Sequence, residues 1–189
     1  MKRVFRLLFP ALALVSSAAA QSQGLIADWD IRAVLKEISA HSSRLVSALD
    51  KADPAVWVQK GAPEAYSSQW KSLREQSQAL SGDALELSKS PENLAAALKT
   101  FFRMQSIEFM LGSFAGGVRS YQGPAQANEL IAIEAENGAN RERFQSYIVE
   151  LATQREQEYQ IMDHEAQRCR GMLFREPQTP AKGVKPGRK

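Results

Sequence analysis

PEAYSSQWKSLREQSQALSGDALELSK, residues 63–89, is the stretch that decides the fold. Tyr66, Trp70, Leu73, Ser77, Leu80, Ala84 and Leu87 recur at alternating spacings of four and three, the stripe that a helix buries against antiparallel neighbours. A strand would need apolar and polar residues to alternate with period two, and no stretch of the chain does so. The segment therefore predicts one helix of an all-α protein, and its neighbours extend the same pattern.

Upstream, Ile31, Val34, Leu35, Ile38, Leu45 and Leu49 share one face of a helix expected from about Asp28 to Ala52, which Pro54 stops. Val56, Trp57 and Val58 fall in the connector, where a turn of helix would cap one end of the core. Downstream, Ser90-Pro91 reads as an N-cap followed by proline in the first helical position, opening a third helix that runs to about Tyr121. This helix is apolar over two arcs. Leu94, Leu98, Phe102 and Phe109 lie on one, and Met104, Ile107, Leu111, Phe114 and Val118 on the other. Gly112, Gly116 and Gly117 near its end leave room for a close neighbour.

Gly123-Pro124 breaks the chain, and Asn137-Gly138 closes a shorter helix in which Ala127, Leu130, Ile131 and Ile133 point inward. Whether Pro124 to Leu173 is one helix or two stays open, because an internal glycine costs only about 1 kcal/mol. A last helix from about Asn140 to Leu173 carries the seam Phe144, Ile148, Leu151, Arg155, Glu158, Met162, Glu165 and Cys169. Together these elements predict an antiparallel four-helix-type bundle with one or two extra short helices. The bundle occupies residues 21–174 as a single domain. Residues 175–189, rich in Pro, Gly, Lys and Arg, are expected to form a disordered basic tail.

Residues 1–20 read as a signal peptide. Lys2, Arg3 and Arg6 precede the apolar run Leu7 to Val15, and Ala18 and Ala20 set a cleavage site between Ala20 and Gln21. The run is too short to persist as an anchor, so the mature form is expected to lack one and to be periplasmic or secreted. The formal charge of +3 is carried by those three residues, leaving 21 basic and 21 acidic groups. Because the tail is basic, the body is mildly acidic. No basic stripe interleaved with aromatics marks a nucleic-acid surface.

The motifs that would name a reaction are missing. One cysteine cannot attach haem through thioethers or close an internal disulfide. Di-iron bundles use Glu-x-x-His pairs, yet Ile38 and Ile161 stand three residues before His41 and His164. The His-Glu-x-x-His, phosphate-loop and Gly-x-Ser-x-Gly patterns are also absent, so no metal, cofactor or catalytic residue is assigned and the reading leans away from an enzyme.

One constellation remains. Aligning four long helices at their midpoints brings His41, Ser42, Ser77, Gln105, Glu108 and Arg155 to one level. They form either a polar layer that fixes register, with Glu108 and Arg155 paired across the core, or a small pocket where Arg155 would hold an anion. The first function suggested is association, as a homodimer or with a partner protein, through the arc of Met104, Ile107, Leu111, Phe114 and Val118. The alternative is a small-ligand (anion) binding protein or minor enzyme built on the mid-level pocket. Cys169, on the seam of the last helix, is expected to be buried.

Overall fold

A computed structural model of the chain describes residues 28–173, and side chains from residue 30. The signal-peptide, cleavage-site and basic-tail expectations lie outside the described residues. Within them, every regular element is a helix: α1 (Asp28–Leu49), α2 (Pro54–Gln59), α3 (Ala65–Leu87), α4 (Leu94–Tyr121), α5 (Pro124–Glu136) and α6 (Gly138–Leu173). None is long and apolar enough to cross a membrane.

Local chemistry sets the boundaries. Asp53 accepts a hydrogen bond from the Val56 amide (3.3 Å) ahead of Pro54, which starts α2 at the position where its missing N–H costs nothing. The third long helix starts later than Ser90-Pro91 suggested. Asn93 is its N-cap, its side chain accepting from the Ala96 amide at 3.1 Å, while Ser90 closes a turn with Asn93. At the other end of α4, Gly123 takes φ 137°, a conformation other residues rarely adopt, and Pro124 begins α5.

Cross-helix bonds show the antiparallel order. Arg32, near the start of α1, donates to the Ser88 and Lys89 carbonyls beyond the end of α3, while Trp70 near the start of α3 donates to the Leu49 carbonyl (2.8 Å). Gln69 meets the Met110 carbonyl and Arg103 meets Asp83, which runs α4 against α3. Arg119 with Asn128 and Phe101 with Phe144 run the following segment back down along α4.

The fourth side of the bundle is composite. α5 and α6 are joined through the single residue Asn137, and both pack against α1 and α4. From Pro124 to the last buried residue, Leu151, this side spans the same number of residues as the 28 of α4. α6 then leaves the bundle. Past Leu151 no residue is buried, though Gln154 and Glu158 remain half-buried, and every residue after Glu158 is exposed, so residues 152–173 form an arm of about 33 Å at 1.5 Å per residue.

The core closes at one end on aromatic rings. Trp57, only 2% exposed, lies 5.5 Å from Phe114, 6.2 Å from Tyr121 and 6.1 Å from Tyr66, centroid to centroid. The α2 connector thus caps the core as its sequence implied. Gly117 sits beneath this cluster, where a Cβ would come within 2.4 Å of the Tyr66 ring.

The structure overturns further expectations: Ile131, expected to point inward, is 46% exposed, and the apolar arcs of α4 and the Cys169 thiol lie otherwise than the sequence suggested. Met104, Ile107, Leu111, Phe114 and Val118 are buried within the chain and offer no face to a partner; on the other arc Leu94 and Leu98 pack partly against the core, and only Phe102 and Phe109 turn outward, 61% and 84% exposed. α4 contacts α3 on one flank and α5 with α6 on the other, so the arc between those contacts becomes core. Cys169 is exposed, because the seam of α6 beyond Leu151 has no helix left to pack on.

Candidate functional site

The polar level of the bundle is centred on the α5–α6 junction. From α1 come His41 and Ser42, the latter 3% exposed; from α3 comes Ser77, fully buried. The junction itself contributes Glu134, Glu136, Asn137, Asn140 and Arg141. A cavity of about 10 Å³ lies among them, bounded by His41, Ser42, Glu134 and Asn137 and by the apolar Leu45, Leu80, Met104 and Ile107.

Each group has an identifiable environment. His41 sits 2.9 Å through Nδ1 from the Glu37 carbonyl one turn earlier, and its Nε2 faces Glu136 at 3.6 Å. Arg44 donates to the same Glu136 carboxylate at 2.7 Å, and that bond, with the Arg44 charge behind it, holds the carboxyl below its ordinary range. Arg141 pairs with Glu108. Glu134 has no such cation to itself. Burial pushes its carboxyl up to about 7, the nearby Glu108 charge pushes the same way, and Arg141 only partly opposes them.

Four buried side-chain atoms have no hydrogen-bond partner among the described residues; Arg103 Nε and Asp83 Oδ2 face each other as an ion pair at 3.0 Å, which leaves the Ser77 hydroxyl and the Asn137 side-chain oxygen. Asn137 is 6% exposed and borders the cavity, whose size matches a single water molecule. No group of three His, Cys, Asp or Glu among the described residues is arranged to hold a metal ion. The chemistry available is that of a site that holds a proton near neutral pH. Among the described residues of this level, neither Ser42 nor Ser77 is bonded to His41 or to a carboxylate.

The sequence located part of this level. His41, Ser42 and Ser77 are where midpoint alignment put them. Gln105 and Glu108 are at the right height, but both are exposed on the flank of α4. Arg155 is elsewhere, bonded to Glu158 at 2.8 Å and reaching the Glu92 carbonyl at 3.5 Å, at the end where α6 leaves the bundle. The proposed Glu108–Arg155 pair does not form. The midpoint of the fourth side was taken from residues 140–173, whereas that side is built from Pro124 to Leu151, which moves the level to Asn137. Glu134, Asn137 and Arg141 were missed because Asn137-Gly138 was read as a boundary. Matching the length of α4 to Pro124–Leu151 would have found them.

No protein-family model, curated protein or solved structure matches the chain, so the reading of the site rests on its own chemistry.

Proposed function

We propose that this chain is exported, loses residues 1–20, and acts by protein–protein association through the arm of α6. The observation that carries this reading is the arm itself. Beyond Glu158 every residue is exposed, and Tyr159, Ile161, Met162, Met172 and Leu173 are each more than half exposed. A lone helix of this length and mixed composition is marginal in water, where helical stability comes mainly from packing an apolar face. The arm is thus an element whose stability a partner would supply.

The outward arc of α4 is a second surface of the same kind. Phe109 stands beside Gly112 and Gly116, neither of which has another atom within 4 Å of where a Cβ would be. Anion binding at the mid-level has less support, since a cavity of about 10 Å³ has room for a water but not for a carboxylate, and Arg155 is not beside it.

The test is Tyr159→Glu combined with Met162→Glu in the full chain, followed by cross-linking in the host. Loss of cross-linked species with an unchanged melting temperature supports the reading. Unchanged cross-linking removes the arm as the contact. Intact-mass analysis of the protein recovered from the host checks export, which requires a chain beginning at Gln21.

A further inference from the structure

We infer that the arm's partner is the arm of a second copy of this chain, packed antiparallel. This rests on the reading of the arm as a contact element and adds to it the identity and orientation of the occupant. Tyr159, Met162, Ala166, Cys169 and Leu173 follow one another at spacings of three and four, forming a continuous seam along the arm, and all are exposed. It lies one residue, about 100°, round the helix from the stripe that α6 buries in the bundle through Phe144, Tyr147 and Leu151, and so is a separate face for packing. Two such seams bury each other.

Orientation follows from charge. After Arg155, which pairs with Glu158 on its own helix, residues 156–165 carry Glu156, Glu158, Asp163 and Glu165 with no Lys or Arg among them, and residues 166–173 carry Arg168 and Arg170 with no acid. A parallel pair would set the acidic stretch against itself. An antiparallel pair lays the basic end of each arm along the acidic stretch of the other, and does so twice because the arrangement is symmetric. Flanking charges of this kind select partner and direction, while the seam supplies the buried area. The contact is short, and so it is expected to be a weak, salt-sensitive dimer in dynamic exchange.

Charge reversal tests this without assuming a register. Glu156, Asp163, Arg168 and Arg170 are exposed on the arm, so their replacement is expected to leave the fold intact, which circular dichroism checks. Sedimentation of the purified protein up to about 0.1 mM at low salt is expected to show a monomer–dimer equilibrium. The variant Glu156→Arg with Asp163→Arg, and separately Arg168→Glu with Arg170→Glu, should each weaken the dimer at least about tenfold. Combining all four restores complementarity and should restore the dimer. A wild-type chain that stays monomeric overturns the inference, as does a dimer indifferent to the single reversals or a combined variant that remains monomeric. If the wild type is monomeric while Tyr159→Glu with Met162→Glu abolishes cross-linking in the host, the arm binds a different protein and only the self-pairing fails.

Discussion

Arg141 closes onto Glu108 across the α4–α6 contact, fourteen residues and about four helical turns before Arg155, which the sequence had assigned to that role. Four turns return to nearly the same face, so Arg141 and Arg155 look alike in projection and differ only in height. The pair is partly exposed, with Arg141 at 27% and Glu108 at 45%. A double-mutant cycle on Glu108 and Arg141 should therefore give a coupling of about 0.5 to 1 kcal/mol, below the several kcal/mol of a buried pair. The cycle on Glu108 and Arg155 should give additive losses. Coupling in the second cycle would contradict the fold's register.

Glu134 makes stability depend on pH. Its carboxyl titrates near 7 in the fold against an ordinary value of 4.5. Below about pH 4.5 the folded and unfolded chains both hold the proton. Between about 4.5 and 7 only the folded chain holds it, so stability falls as pH rises, and above 7 the loss is complete. Full burial would make this about 3 kcal/mol; partial solvent access reduces it to about 1 to 3 kcal/mol. Glu134→Gln should remove that dependence and be more stable than wild type at pH 8. Arg141→Ala should raise the Glu134 midpoint further and Glu108→Gln should lower it, both measurable by carbon-detected NMR of the carboxyl.

The fold class was legible because the periodicities of α1 and α3 are set by burial on one face, and burial is what sequence pattern records. Where a helix is apolar over two arcs, as in α4, pattern gives both and cannot rank them. Contacts with α3 on one side and α5 with α6 on the other decide that Met104 is core and Phe109 is not. The level of the candidate site was legible on α1 and α3, whose ends are marked by Pro54 and Ser90-Pro91. It was lost on the fourth side because Asn137 interrupts that side without ending it. The seam of α6 carried a different ambiguity, since three-four spacing marks any packed helix and says nothing of whether the partner is in the same chain.

The three glycines of α4 should respond in opposite directions to the same substitution. At Gly117 a methyl would meet ring atoms of Tyr66 at 2.4 to 2.9 Å, and that ring is held between Trp57 and Tyr121 with centroids 6.1 and 6.0 Å away. Gly117→Ala should therefore cost about 1 to 3 kcal/mol through displacement of the aromatic cap. Gly112 and Gly116 have open space, and alanine there should stabilise the helix by about 0.5 to 1 kcal/mol each. Chemical denaturation of the three variants measures all of this. A stabilising Gly117→Ala would mean that Tyr66 is free to move aside.

Cys169 offers the most direct check on the arm. The sequence placed its thiol on a buried seam, and in the fold it is exposed, with no neighbouring helix to shield it. A bulky thiol reagent should label the dilute native protein within about threefold of the rate for an unstructured peptide, because access governs the rate once the thiolate fraction is equal. Slow labelling of dilute protein would mean that the arm folds back onto the bundle. Labelling should then slow as protein concentration rises at low salt, since Cys169 lies on the seam that an antiparallel copy covers. It should recover speed in the variant Arg168→Glu with Arg170→Glu at the same concentration. A rate that is fast and independent of concentration would leave the thiol exposed in every state and remove the seam from the contact.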